Sequence, residues 1–331
     1  MDSFIFAINA VLPIILMVAV GYAIKRIGII TKDFAKAANK LVFRLFLPTM
    51  LFMNIYNIEA IGNVRLGFVF YTLAVILLIF FVSIPLTALI TKDAASRGAV
   101  LQSTFRSNFA LIGIPLADAL FPVEGAPVAA ILSAFTVPLL NMLAVISLSL
   151  FKKQEGSASR IKAILLDITK NPLIVAVASG VAVLGLRAIL SKIGVSFRLS
   201  DITPLYKAAS TLGSVATPLA LVVLGAQFEF TAVKRKAKEI LFGTSVRLIL
   251  SPLLGLGIAA VFLRNTFSGA QFAAMSAAFL TPVSVSSVPM AQEMNSDTEL
   301  AGQLVVWTTL ASALTVFLGA YILSAVGIFP T

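Results

Sequence analysis

Apolar residues run along this chain in ten long blocks separated by short polar turns. The blocks are Phe4–Ile24, Phe34–Tyr56, Leu66–Ile90, Ala99–Phe121, Pro127–Phe151, Pro172–Leu190, Pro204–Phe228, Ile240–Leu263, Ala270–Ala291 and Leu300–Val326. Each is close to or above the roughly 20 residues that an α-helix needs to cross a bilayer. They are too long and too continuously apolar for barrel strands. A backbone in lipid must satisfy its own hydrogen bonds, so such blocks predict helices. The expected fold class is an all-α integral membrane protein with ten transmembrane helices. The first block has no basic stretch before Phe4 and is long enough to span, so it reads as a span and not as a cleaved leader.

The polar turns carry a charge asymmetry. With the N-terminus placed outside, the inside turns hold Lys25, Arg26, Lys32, Lys36, Lys92, Arg97, Lys152, Lys153, Arg160, Lys162, Lys170, Lys234, Arg235, Lys236 and Lys238. The outside turns hold Arg65, Arg187, Lys192, Arg198 and Arg264. Basic residues favour the cytoplasmic side, so both termini are expected outside. The longest polar stretch, residues 152–170, then links a first unit (1–151) to a second (171–331) on the cytoplasmic side.

The two units echo each other. The stretch from Thr104 to Leu120 aligns without a gap with Ala278 to Met294, so that Phe105 meets Phe279, Pro115 meets Pro289 and Ala117 meets Ala291. Pro13 and Gly21 meet Pro172 and Gly180, and Lys36-Ala-Ala and Lys207-Ala-Ala each precede a proline, Pro48 and Pro218. Five spans per unit is an odd number, so the second unit is expected to be inverted relative to the first. Inverted repeats of this kind recur in secondary transporters.

Composition narrows the function. Hydrophobic residues make up 59 % and charged residues 12 %, with a mean hydropathy of +1.03. That balance excludes a soluble enzyme, a disordered chain and a nucleic-acid-binding module. The net charge of +11 sits in the turns and reads as topology control. There is no cysteine and no histidine, so thiol and imidazole chemistry and the metal sites built on them are out of reach. No GxxxxGK[ST] run marks a phosphate-binding loop. Gly225 and the Gly255/Gly257 pair lie inside apolar blocks, where small residues let helices approach.

Blocks four and nine are the unusual ones. They read Ser107-Asn108-Phe-Ala-Leu-Ile-Gly113-Ile-Pro115 and Thr281-Pro282-Val-Ser284-Val-Ser286-Ser287-Val-Pro289. Proline removes a donor and displaces the carbonyl four residues earlier, here Leu111 and Val285. Paired interruptions in two inverted halves point to a substrate site. The candidate binding residues are Arg106, Ser107, Asn108, Gly113, Pro115, Pro282, Ser286, Ser287 and Pro289. An ordinary proline kink with an interhelical amide contact is the plainer alternative. Arg44, Arg106 and Arg247 fall about 10–15 Å inside their blocks at 1.5 Å per residue, while every acidic residue lies in a turn or near a block end. Arginines without a carboxylate partner suit a carboxylate-bearing substrate, or else snorkel and set topology.

Four stretches in order resemble the auxin efflux carrier family, which includes plant PIN carriers and bacterial malonate or malate permeases. They are Asn39-Lys-Leu-Val-Phe-Arg-Leu-Phe-Leu-Pro48, Asn108-Phe-Ala-Leu-Ile-Gly-Ile-Pro-Leu116, Asn171-Pro172, and Pro282 through Pro289 to Glu293-Met-Asn295. The resemblance implies two inverted five-helix repeats, with blocks four and nine broken where they cross. It also implies a dimerising scaffold of blocks one, two, six and seven, and an elevator-like transport unit made of the rest. Asn108, Pro115, Pro282 and Pro289 match the crossing positions. Two departures from the plant pattern, the short inter-half linker and Arg106, favour a smaller and more highly charged anion than auxin.

The expected function is secondary transport of a small mono- or dicarboxylate, without cofactor or metal, in the cytoplasmic membrane as a homodimer. Two alternatives stay open: a sodium- or proton-coupled carrier on the same scaffold, and a ligand-binding membrane receptor without net flux. The absence of His, Cys, GxSxG and paired mid-membrane aspartates argues against an intramembrane enzyme.

Overall fold

The computed structural model describes residues 2–57, 66–151, 165–192, 194 and 198–329. Most of the linker, with Lys152, Lys153, Arg160 and Lys162, and also Arg65, lies outside the described residues. The described chain is all helix and turn, with no strand beyond one isolated two-residue bridge. Six described stretches are long and apolar enough to cross a membrane: Gly67–Ile90, Gly125–Leu150, Pro172–Ser191, Thr203–Gln227, Ala237–Phe262 and Thr298–Ala325. The first helix, Asp2–Arg26, adds 25 residues. Its end is set by Gly28, whose φ of 83° lets the Gly28 amide donate to Lys25 O and the Ile29 amide to Ile24 O. That pair of bonds closes a helix C-terminus, and it needs a residue without a Cβ penalty in the left-handed region.

Several blocks are helical but not regularly so. The second runs as Lys32–Leu41, a π-helical turn Val42–Phe46, and Leu47–Tyr56. Further π turns cover Phe109–Gly113, Val246–Leu250 and Leu253–Gly257. Three of the four end two residues before a proline, at Pro48, Pro115 and Pro252. Proline supplies no N–H and its ring crowds the carbonyl one turn back. Widening the preceding turn by one residue relieves that clash while keeping the helix running, and such turns gather at functional sites.

The helices pack in pairs. Asp2–Arg26 lies against Thr203–Gln227, with Gly21 on the Val222 backbone and Gly225 on that of Val18. A Cβ at either glycine would collide with main chain, so small residues set this approach. Leu47–Tyr56 lies against Pro172–Lys192, Gly269–Phe279 against Gly125–Leu150, and Ala94–Phe105 against Thr298–Ala325. Gly255 meets the Phe279 ring, as its position in a tight block suggested, whereas Gly257 faces open space.

Two buried cores result. One joins Ile14, Val18, Phe43, Leu51, Leu173 and Leu221 to residues near the broken helices. The other, around Phe68, Ile76, Leu132, Phe272 and Phe279, draws no buried residue from Asp2–Arg26, Lys32–Tyr56, Pro172–Lys192 or Thr203–Gln227. Outside both cores, large apolar side chains such as Leu12, Phe70, Phe81, Leu89 and Phe262 are exposed. A face like this is stable only in an apolar solvent.

Candidate functional site at two interrupted helices

Two helices stop inside the protein and restart. Ala94–Phe105 ends, Arg106 to Asn108 are not helical, and the chain resumes as Phe109–Leu120. Gly269–Phe279 ends, and helix returns at Ser287–Glu293. The second interruption has a local cause in Pro282, which disfavours helix at Thr281 before it. The two gaps lie side by side. Ser107 and Val283 form an antiparallel bridge, with the Asn108 amide donating to Pro282 O at 2.8 Å and the Ser284 amide to Arg106 O at 3.2 Å. Thr308 on the last long helix accepts from the Val283 amide at 3.1 Å. Each gap thus satisfies part of the other's freed backbone, as buried irregular chain in a membrane protein must.

A cavity of about 200 Å³ opens beside this bridge. That is the share of about six or seven waters at ~30 Å³ each. Arg106, Ser107, Asn108, Asn141 and Ser286, with Asn54, Thr217 and Ser284, contribute its polar lining, Leu47, Met50, Leu140 and Ala220 part of its apolar lining, and no acidic residue lines it. The amides of Phe109, Ala110 and Leu111, at the start of Phe109–Leu120, have no acceptor within the described protein. A helix start leaves such donors free, and together with the helix dipole they favour an anion.

Arg106 is 2 % exposed. Its guanidinium donates to Gln102 Oε1 (3.2 Å), Met290 Sδ (2.9 Å), Asn141 Oδ1 (2.9 Å) and Ser286 Oγ (2.9 Å). All four acceptors are neutral. Asn141 is oriented by its own donation to Val137 O. Asn108 Nδ2, Ser107 Oγ and Ser287 Oγ are buried with no partner among the described residues.

Of the residues singled out in the sequence, Arg106, Ser107, Asn108 and Ser286 line the cavity. Pro282 supplies the carbonyl that holds Asn108. Gly113, Pro115, Ser287 and Pro289 stand outside the lining. Gly113 packs where a Cβ would come within 2.7 Å of Ala277 Cβ. Ser287 O takes a hydrogen bond from Gln102.

The expectation of three arginines without a carboxylate partner holds for Arg106 and Arg247 and fails for Arg44. Arg44 is on the surface, its side chain 63 % exposed, and pairs with Glu293 at 3.1 Å. Arg247 is 1 % exposed and donates to the carbonyls of Thr281, Phe105 and Ala278. It therefore caps the carbonyl ends of both interrupted helices, where a cation complements the dipole.

Asn141, Gln102 and the trio Asn39, Gln227 and Gln292 escaped sequence reasoning. Asn39 Nδ2 donates to Gln227 Oε1 (2.9 Å) and Gln292 Oε1 (2.8 Å), tying three helices together. The available signal was a lone carboxamide within an otherwise apolar block.

A multi-helix chain with an apolar outer surface, and a polar cavity where two broken helices meet, has the build of a membrane transporter. The family described as membrane transport protein matches residues 6–319, and the chain belongs to it, in keeping with the resemblance to auxin efflux carriers. It is similar to an uncharacterized transporter of Methanothermobacter thermautotrophicus, 22 % identical over 339 residues, covering 97 % of this chain and 99 % of the relative. It is also similar to the uncharacterized transporter MJ1031 of Methanocaldococcus jannaschii, 27 % identical over 251 residues, covering 74 % and 76 %. The protein is thus a multi-pass membrane transporter and not an enzyme.

Proposed function

We propose that this transporter carries a small organic anion, a mono- or dicarboxylate, through the cavity at the interrupted helices. The observation that carries the reading is a buried guanidinium with only neutral partners, facing a cavity without an acidic side chain. Arg106 attracts the carboxylate, which accepts from the guanidinium in place of Ser286 Oγ. Asn108 Nδ2 and the free amides of Phe109–Leu111 donate to it. Charge-assisted donors of this kind select an anion over a neutral molecule of equal size.

The architecture behind this reading is ten helices in two inverted five-helix repeats, residues 1–151 and 171–331. The packing supports it. The pairing of helix one with seven matches that of six with two, and nine with five matches four with ten, as a two-fold relation between halves requires. The core that excludes helices one, two, six and seven supports a separate moving unit sliding against a dimeric scaffold as an elevator.

Both termini lie outside in this reading. A second cavity shares Met50, Asn54, Leu111 and Thr217 with the first and extends to Asn57 and Ser210 on the outer side. On the inner side, Arg44–Glu293 and the Asn39–Gln227–Gln292 junction join the scaffold to the second interrupted helix. That asymmetry supports an outward-facing state.

The test is uptake by liposomes containing the purified protein, with labelled malonate, malate, oxalate and indole-3-acetate under an imposed voltage and then a proton gradient. Saturable uptake of one anion, lost in Arg106→Ala and Asn108→Ala, is the expected result. Binding without flux would favour a receptor instead. Neither binding nor flux, with the variants altering only stability, would make the cavity a packing feature.

A further inference from the structure

We infer that the cavity between the end of the first helix, the start of the second and residues Ala226–Glu229 binds the phosphate of an anionic lipid headgroup. This cavity, of about 260 Å³, is lined by Lys25, Lys32 and Lys36, with Thr31, Gln227 and one carboxylate, Glu229. None of the three ammonium groups makes an ion pair or side-chain hydrogen bond among the described residues. Three unpaired cations against the single carboxylate of Glu229 leave the concavity with a net positive charge that an added anion offsets. Thr31 caps the second helix by accepting from the Phe34 amide, and Gly28 turns the chain between the two helices, so the wall is built from backbone with fixed geometry.

The rim says what carries the anion. Ile27 (71 % exposed), Ile29 (69 %) and Phe34 (52 %) surround the lysines in sequence. Lysines beside bare apolar side chains at a helix end are the arrangement of a membrane interface, where headgroup and acyl chain are met together. Basic pockets between helices on the cytoplasmic side take phosphate headgroups, and the charge asymmetry of the turns puts this cavity on that side. A free phosphate would use the lysines and leave the apolar rim idle.

The site adjoins the junction described above. Gln227, in its lining, accepts from Asn39, and Lys36 O accepts from Gln292 at 3.2 Å. A bound headgroup would therefore brace the scaffold where it meets the second interrupted helix.

The experiment is thermal unfolding of the purified full chain in a zwitterionic detergent. It is titrated with short-chain phosphatidylglycerol, short-chain phosphatidylcholine and inorganic phosphate. Phosphatidylglycerol is expected to raise Tm saturably, phosphatidylcholine to leave it unchanged, and phosphate to act far more weakly. Each interfacial lysine contributes about fivefold in affinity, so K25Q/K32Q/K36Q weakens the phosphatidylglycerol response about a hundredfold and Lys25→Gln alone about fivefold. Because those lysines are unpartnered, the unliganded Tm stays near that of the native chain. K92Q/K170Q/K234Q, with the same change in net charge, keeps the response. Equal shifts from phosphatidylcholine, or from phosphate alone, would overturn the assignment. So would an undiminished response in K25Q/K32Q/K36Q, or an equal loss in both triple variants. The readout is independent of which substrate the carrier moves.

Discussion

Arg106 and Arg247 are both buried almost completely, and both touch the two interrupted helices, yet they do opposite work. Arg247 spends its donors on three backbone carbonyls at helix ends. Those carbonyls carry the negative end of two helix dipoles, so the charge is balanced from within. Arg106, whose own carbonyl takes part in the bridge, has a thioether, two carboxamides and a hydroxyl as its acceptors. Its hydrogen bonds are made, but its charge is not matched. A buried cation with neutral partners is costly unless something else stabilises it, and the cavity beside it is where an anion can. Burial alone therefore does not tell a structural arginine from a binding one; what differs is whether the acceptors stand at the negative ends of helix dipoles.

The comparison breaks most readily at Arg247. Replacing it with Ala strands three buried carbonyls and parts the two helix ends. A loss of about 3–5 kcal/mol of stability follows. It is read as a fall in Tm and in the monodisperse fraction on gel filtration. A variant that melted like the native chain would show that the carbonyls find other partners.

At Arg106 the order of effects reverses. Arg106→Ala is expected to lower kcat/KM for the transported anion by at least about a hundredfold, the cost of a charge-assisted bond pair in a desolvated site. Its Tm falls by less than that of Arg247→Ala. Asn108→Ala follows with a loss of about tenfold or more, the worth of one hydrogen bond to a charged group. Equal damage to flux and stability at both arginines would erase the distinction.

Much of this was legible in the chain, and the failures are instructive. The ten blocks announce helices because lipid leaves no other choice for the backbone. The prolines of blocks four and nine announce breaks; Val285 falls inside the second gap, whereas the first gap, at 106–108, lies further toward the N-terminus than the carbonyl of Leu111 suggested. The bridge between Ser107 and Val283 does the rest of the unwinding, and no local pattern encodes a partner 176 residues away in sequence (283 − 107). The partner of Arg44 was missed because counting along a helix does not say which face meets Glu293. Asn141 was passed over because a single carboxamide in an apolar block carries no sign of which residue it holds.

Smaller effects sharpen the picture at the scaffold contacts. Arg44 is exposed and Glu293 only 14 % exposed; water around the arginine screens the pair, which is worth ~0.5 kcal/mol. Glu293→Gln should therefore shift the balance between outward and inward states only about twofold. The chain contains no cysteine, so the labelling rate of Ser210→Cys in that background measures the shift directly. A tenfold change would mark the pair as the dominant latch.

Acid sensitivity is smaller still at physiological pH. Burial pushes the Asp297 carboxyl up, but hydrogen bonds from Lys236, Ser96 and the Leu300 amide outweigh it and hold the group below its ordinary 3.8. A depressed carboxylate contributes stability in full above its unfolded value and loses it as pH falls through the folded one. Tm should therefore hold above about pH 4 and drop below it. Asp297→Asn flattens that drop, as a melting series across pH would reveal.

The most direct test of the central claim supplies Arg106 with the carboxylate it lacks. Asn141→Asp puts a negative charge where Asn141 Oδ1 now accepts from the guanidinium at 2.9 Å. Anion binding to the purified variant, measured by calorimetry across the same panel of carboxylates, is predicted to fall at least about a hundredfold while Tm stays level or rises. Undiminished anion binding by Asn141→Asp would contradict the account, because it would mean that the charge of Arg106 is not what the substrate meets.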